Sequence, residues 1–182
     1  MIITSLWLVP PTKESNTIQE QITFLANKHK GSPSFAPHIT IGGAPVTSET
    51  KEDALALFES CKTRVQKLSS SGGITCKFTH LDSANNPADG SLCRFQACMA
   101  IVELPNASFI ELCKLVQDQE DETKLFNAPI DHPHLSLAYG ANCVQDATLP
   151  ETFDAHEVQM VDVTSDDVGE WNCISSFSIL GL

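Results

Sequence analysis

The feature that most constrains this chain is a five-residue phrase written twice. Pro37-His38-Ile39-Thr40-Ile41 and Pro133-His134-Leu135-Ser136-Leu137 share one pattern: Pro, His, aliphatic, hydroxyl, aliphatic. In an extended strand residues i and i+2 share a face, about 6.5–7 Å apart. His38 therefore projects with Thr40, and His134 with Ser136, while Ile39, Ile41, Leu135 and Leu137 point the other way into a core. Each proline fixes its own φ and cannot donate to a ladder, so each histidine belongs near the start of a strand rather than in its middle. A single copy is an ordinary amphipathic strand. Two copies demand two equivalent strands and predict a pseudo-symmetric chain of two lobes. His29, His80, His132 and His156 do not share the context.

Strand and helix patterns alternate along the rest of the chain. Residues 3–9 read as a strand that ends at Pro10-Pro11. A helix is expected over about 18–29, from a capping-box spacing between Thr17 and Glu20. A second is expected over about 49–68 from Ser48, with Leu55, Phe58, Cys61, Val65 and Leu68 on one face. Strands follow at about 74–81 and 91–103, joined by the turn-rich "SANNPADG", then a helix at about 106–119. Residues 118–132 read as an acidic, irregular loop. Strands at about 156–163 and 171–180 close the chain, which gives some seven strands and three helices. Hairpin-linked strands and segregated helices predict an α+β fold, bilobal, with two largely antiparallel sheets facing a central groove and helices outside. The 182 residues suit a single domain, 1–182.

Composition excludes several classes. The formal net charge of −12 is the reverse of the basic footprint of proteins that bind long nucleic acids, yet leaves room for a small phosphorylated ligand. No apolar run approaches the ~20 residues of a membrane span, and the N-terminus reads as a strand rather than a signal peptide. Seven cysteines without a CxxC pair fit free thiols in a reducing compartment; a Cys93–Cys98 bridge is the weaker reading. The expectation is a cytoplasmic monomer.

Two histidines and two hydroxyls suit a definite reaction. Hydrolysis of a phosphodiester needs a base for water and an acid for the leaving alkoxide, and imidazole titrates near neutrality. Thr40 and Ser136 supply donors for the non-bridging oxygens, with no metal and no cofactor required. His132 and His134 form an H-x-H pair, but no acidic or Cys partner stands at a persuasive spacing. Arg94 reads as surface or core edge, and Trp171 as a packing residue before the last strand.

At these residues the chain resembles the 2H phosphoesterases, defined by two H-x-[ST] motifs in a duplicated bilobal α+β fold. The likeness runs over nearly the whole chain. It is closest to the cyclic phosphodiesterases of fungi and plants, through the N-terminal "SLWLVPP" with Trp7, through Phe35 before the first motif, and through Tyr139 five residues past His134. The resemblance implies opening of nucleoside 2′,3′-cyclic phosphates to 2′-phosphates, and of ADP-ribose 1″,2″-cyclic phosphate, a by-product of tRNA splicing, to ADP-ribose 1″-phosphate. His38 and His134 would be catalytic, and Trp7, Tyr139 and Phe35 would contact substrate. Taken alone, Trp7 reads equally as core. Strand alternation puts Tyr139 on the face opposite His134, so a place in the pocket requires a bulge near Ala138. Pseudo-symmetry leaves base and acid unassigned. The alternatives are a 2H esterase acting on cyclic phosphates at RNA ends and a non-catalytic nucleotide-binding module.

Overall fold

In the computed structural model, residues 1–29, 32–42, 46–65, 73–83, 97–104, 106–116, 133–140 and 144–179 are described. Among them are ten strands and three α-helices: β1 (Ile2–Val9), α1 (Thr12–Lys28), β2 (Ile39–Thr40), β3 (Val46–Ser48), α2 (Lys51–Val65), β4 (Ile74–Cys76), β5 (Phe78–Ser83), β6 (Ala97–Val102), α3 (Ala107–Val116), β7 (His134–Tyr139), β8 (Phe153–Ala155), β9 (Glu157–Asp162) and β10 (Asn172–Ser178). All strand pairings are antiparallel, and the architecture is α+β.

Eight strands form the large sheet, in the order β10-β9-β1-β2-β7-β6-β5 with β3 beside β1; β4 and β8 form a second, two-stranded sheet. The two motif strands are neighbours within the large sheet. Ile39 lies opposite Leu135, so the halves of the chain meet at β2 and β7. The four motif aliphatics Ile39, Ile41, Leu135 and Leu137 are fully buried with Leu6 and Leu8, in one core with Ile18, Ile22 and Leu25 of α1 and Phe58 of α2. The alternation expected from the sequence therefore holds. One strand face is committed to the core, and the other is left for His and hydroxyl.

Two of the helices start elsewhere than their sequence signals suggested. α1 begins at Thr12, directly after Pro11, whose φ of −58° suits a helix entry. Thr17 lies inside this helix and bonds back to the Lys13 carbonyl (3.4 Å), so it caps nothing. Periodicity missed the first turns because α1 buries nothing before Ile18. α2 is capped by Thr50 rather than Ser48. Thr50 N–H donates to Asp53 Oδ2 and Asp53 N–H to Thr50 Oγ1, both 3.1 Å, a reciprocal capping box. Asn106 caps α3 through the Phe109 amide (3.1 Å). The strand expected over 74–81 is broken at Lys77 into β4 and β5, and β3 and β8 went unpredicted at three residues each. Cys98 is buried. Arg94, His132, Cys93, residues 84–90 of the "SANNPADG" turn and the acidic 118–132 loop lie outside the described residues. No helix among the described residues is long and apolar enough to cross a membrane.

Candidate active site

The pairing of β2 with β7 brings the two motifs together. With Ile39 opposite Leu135, the antiparallel register puts His38 across from Ser136 and Thr40 across from His134. Such cross-strand neighbours have Cβ atoms about 4.5–5.5 Å apart. Each histidine thus faces the hydroxyl of the other copy, and the four side chains form one patch on the face away from the core. Both prolines stand outside their strands, as ladder chemistry requires: Pro133 immediately precedes β7, and Pro37 lies two residues before β2. The Pro133 carbonyl still accepts from Val102 N–H (2.9 Å).

His38 is 4% exposed. Its Nδ1–H donates to the Ala36 carbonyl at 2.7 Å, because a carbonyl only accepts, so in the neutral ring the lone pair sits on Nε2. The indole of Trp7 lies flat on the imidazole, centroids 3.5 Å apart and planes 5° from parallel. Burial lowers the His38 pKa from 6.5 to about 4; the Ala36 bond opposes this, and nearby His134 adds to it. His38 is thus a neutral imidazole at neutral pH, with Nδ1 tied to the backbone and the lone pair on Nε2. His134 and Thr40 are half-buried, whereas Ser136 is 4% exposed.

The three expected aromatic residues all reach this patch. Trp7 pairs with Thr40 across β1 and β2, which puts it on the His38 face, and it is itself buried. Phe35 stands edge-on to His38 (6.2 Å) and against Tyr139 (4.5 Å). Tyr139 arrives through a β-bulge. Met99 pairs with Ser136 but Cys98 pairs with Ala138, so Leu137 is the extra residue. Leu137 and Ala138 are consecutive and both fully buried, and the alternation resumes with Tyr139 on the His134 face. The Tyr139 hydroxyl hydrogen-bonds Ser136, while burial pushes its pKa above the ordinary 10. Ser32, itself buried, accepts from the Tyr139 amide (3.3 Å) and steadies the strand end.

One residue of the site was missed from the sequence. Trp171, read as a packing residue, stands 5.9 Å from Trp7 and 6.3 Å from Tyr139. Its position depends on where the β9–β10 connection folds back, and local pattern does not carry that. Among the described residues no three His, Cys, Asp or Glu side chains converge in a metal-binding group.

These features were compared with known proteins. The family model for cyclic phosphodiesterase-like proteins matches residues 1–181. The chain belongs to the cyclic phosphodiesterase-like family. This places it among the 2H phosphoesterases expected from its two motifs. Solved structures agree in fold. A phosphoesterase aligns over 100% of both chains at 17% identity and a TM-score of 0.64. LigT of E. coli complexed with 3′-AMP aligns over 99% of each chain at 18% identity and a TM-score of 0.60. Usb1 of Kluyveromyces marxianus with uridine monophosphate covers 98% of this chain and 97% of its own, at 13% identity and a TM-score of 0.53. At such identities the likeness is one of fold. No curated protein matches the sequence.

Proposed function

We propose that this 2H phosphoesterase hydrolyses small cyclic phosphodiesters without a metal, within one bilobal domain spanning residues 1–182. The observation that carries the reading is the interlocked pair of motifs, with each histidine across from the other copy's hydroxyl on one sheet face. A cyclic phosphate seated there has an imidazole toward each end of the scissile P–O bond. One histidine takes a proton from water and the other returns a proton to the released ribose oxygen. Thr40 and Ser136 donate to the non-bridging oxygens as charge builds at phosphorus. Trp7 and Phe35 form the floor beneath His38 and exclude water, and Tyr139 borders the substrate. The substrates are nucleoside 2′,3′-cyclic phosphates, opened to 2′-phosphates, and ADP-ribose 1″,2″-cyclic phosphate, opened to the 1″-phosphate. The protein works as a cytoplasmic monomer on these tRNA-splicing by-products and engages no long nucleic acid and no membrane.

Phosphorus NMR of the purified protein with EDTA tests the reading. Adenosine 2′,3′-cyclic phosphate should give one monophosphate isomer, the 2′-phosphate, and ADP-ribose 1″,2″-cyclic phosphate should be opened beside it. No turnover of either, or turnover abolished by EDTA, contradicts it. Matched rates on a mononucleotide and on an oligonucleotide with the same cyclic end separate this reading from an RNA-end esterase. The net charge of −12 favours the mononucleotide.

A further inference from the structure

Trp7 and Phe35 are poorly placed to stack a nucleobase. Trp7 is 4% and Phe35 6% exposed, and one face of Trp7 is covered by the His38 ring. Among the rings of this cluster, Trp171 and Tyr139 retain open surface. Trp171 is half-buried against the core, beside Trp7 and Tyr139. Its setting is rigid. The indole Nε1–H donates to the Ser165 carbonyl (2.9 Å), and the Ser165 hydroxyl donates to Glu170 Oε2 (2.6 Å). Asp167 accepts from the Gly169 amide (2.8 Å) and caps the 3₁₀ turn Val168–Glu170, whose Val168 is buried. Asp166, Asp167 and Val168 of the same loop, with Tyr139, Ser32, Pro33 and Gly140, line a cleft of about 450 Å³ that Trp171 itself does not line. That volume falls within the range of small-molecule sites.

We propose that Trp171 is the base-stacking residue of this site: its open face receives the planar base of a cyclic nucleotide whose phosphate lies at His38 and His134. Trp7 is then a positioning residue, since it orients and dehydrates His38 rather than holding the base. The inference rests on the cyclic-nucleotide reading above. A ring already fixed by its own loop loses little freedom on binding, so the stacking contact is retained in affinity.

The test compares wild type, Trp171→Ala and Trp171→Phe on two substrates: adenosine 2′,3′-cyclic phosphate and the base-free methyl riboside 2,3-cyclic phosphate. Loss of one base–aromatic stack should raise KM for the adenosine substrate about 5- to 100-fold in Trp171→Ala. kcat should change little, the base-free substrate should be unaffected, and Trp171→Phe should recover most of the loss. Equal losses on both substrates, or an unchanged adenosine KM, overturn the proposal. A second readout needs no turnover. The chain has two tryptophans, so adenosine 2′-phosphate should quench the fluorescence of the wild type, and Trp171→Phe should lose that quench. A protein that turns over neither substrate yet shows this quench has lost the activity reading but kept the stacking one. Absence of the quench in wild type, or its persistence in Trp171→Phe, overturns the stacking assignment.

Discussion

The two copies of the motif have the same residue pattern and different surroundings. At β2 the histidine just before the strand is buried and the hydroxyl residue half-open; on β7 the histidine is half-open and the serine buried. The register pairs like with like. His38 and Ser136 make a deep end, and Thr40 and His134 make the mouth. The cause lies one strand further out. Trp7 pairs with Thr40 on one side of the seam, and Met99 pairs with Ser136 at the corresponding place on the other. An indole covers the first imidazole, whereas the second half offers a half-buried methionine. A duplicated site thus acquires two unlike histidines through a single neighbouring position, and they differ in burial although the motif writes them alike.

Removing either motif hydroxyl should be the costliest of the following changes. Ser136→Ala and Thr40→Ala each remove an oxyanion donor, worth about 10²- to 10³-fold in kcat, with the buried Ser136 at the upper end. Steady-state kinetics on adenosine 2′,3′-cyclic phosphate reads this. Next comes acid stability. The His38 pKa is lowered on folding, so the folded state resists protonation that the unfolded chain accepts. Its contribution is intact above pH 6.5 and is lost as pH falls toward 4, about 3 kcal/mol in all. Urea unfolding across that window should show the slope, and His38→Gln should remove it. Trp7→Met gives β2 the neighbour that β7 already has. NMR titration should then find the His38 pKa raised by more than about one unit toward 6.5, worth at least about 1.4 kcal/mol. The smallest effect is expected from Tyr139→Phe, which loses the hydrogen bond to Ser136 and about 1 kcal/mol of stability by thermal unfolding.

Strand faces were more legible than strand pairing. Period-2 alternation fixed which motif residues face the core, because Ile39, Ile41, Leu135 and Leu137 had nowhere else to go. The bulge demanded by Tyr139 was foreseeable near Ala138, and its local sign is the adjacent buried pair Leu137-Ala138. The direct pairing of β2 with β7 was not legible, since it joins residues far apart in the chain through a two-residue strand. The start of α1 was hidden by its polar first turns. The capping box of α2 stood in the sequence as Thr50 and Asp53 but was passed over for Ser48. Trp171 could not be placed because its ring is fixed by a loop whose fold depends on β9 and β10.

In the proposed mechanism the two unlike histidines serve one reaction on one phosphate. Turnover of adenosine 2′,3′-cyclic phosphate by His38→Ala and by His134→Ala, in EDTA, tests it most directly. Loss of a general acid or base should lower kcat about 10²- to 10⁴-fold in each variant. A wild-type rate in either variant would contradict it.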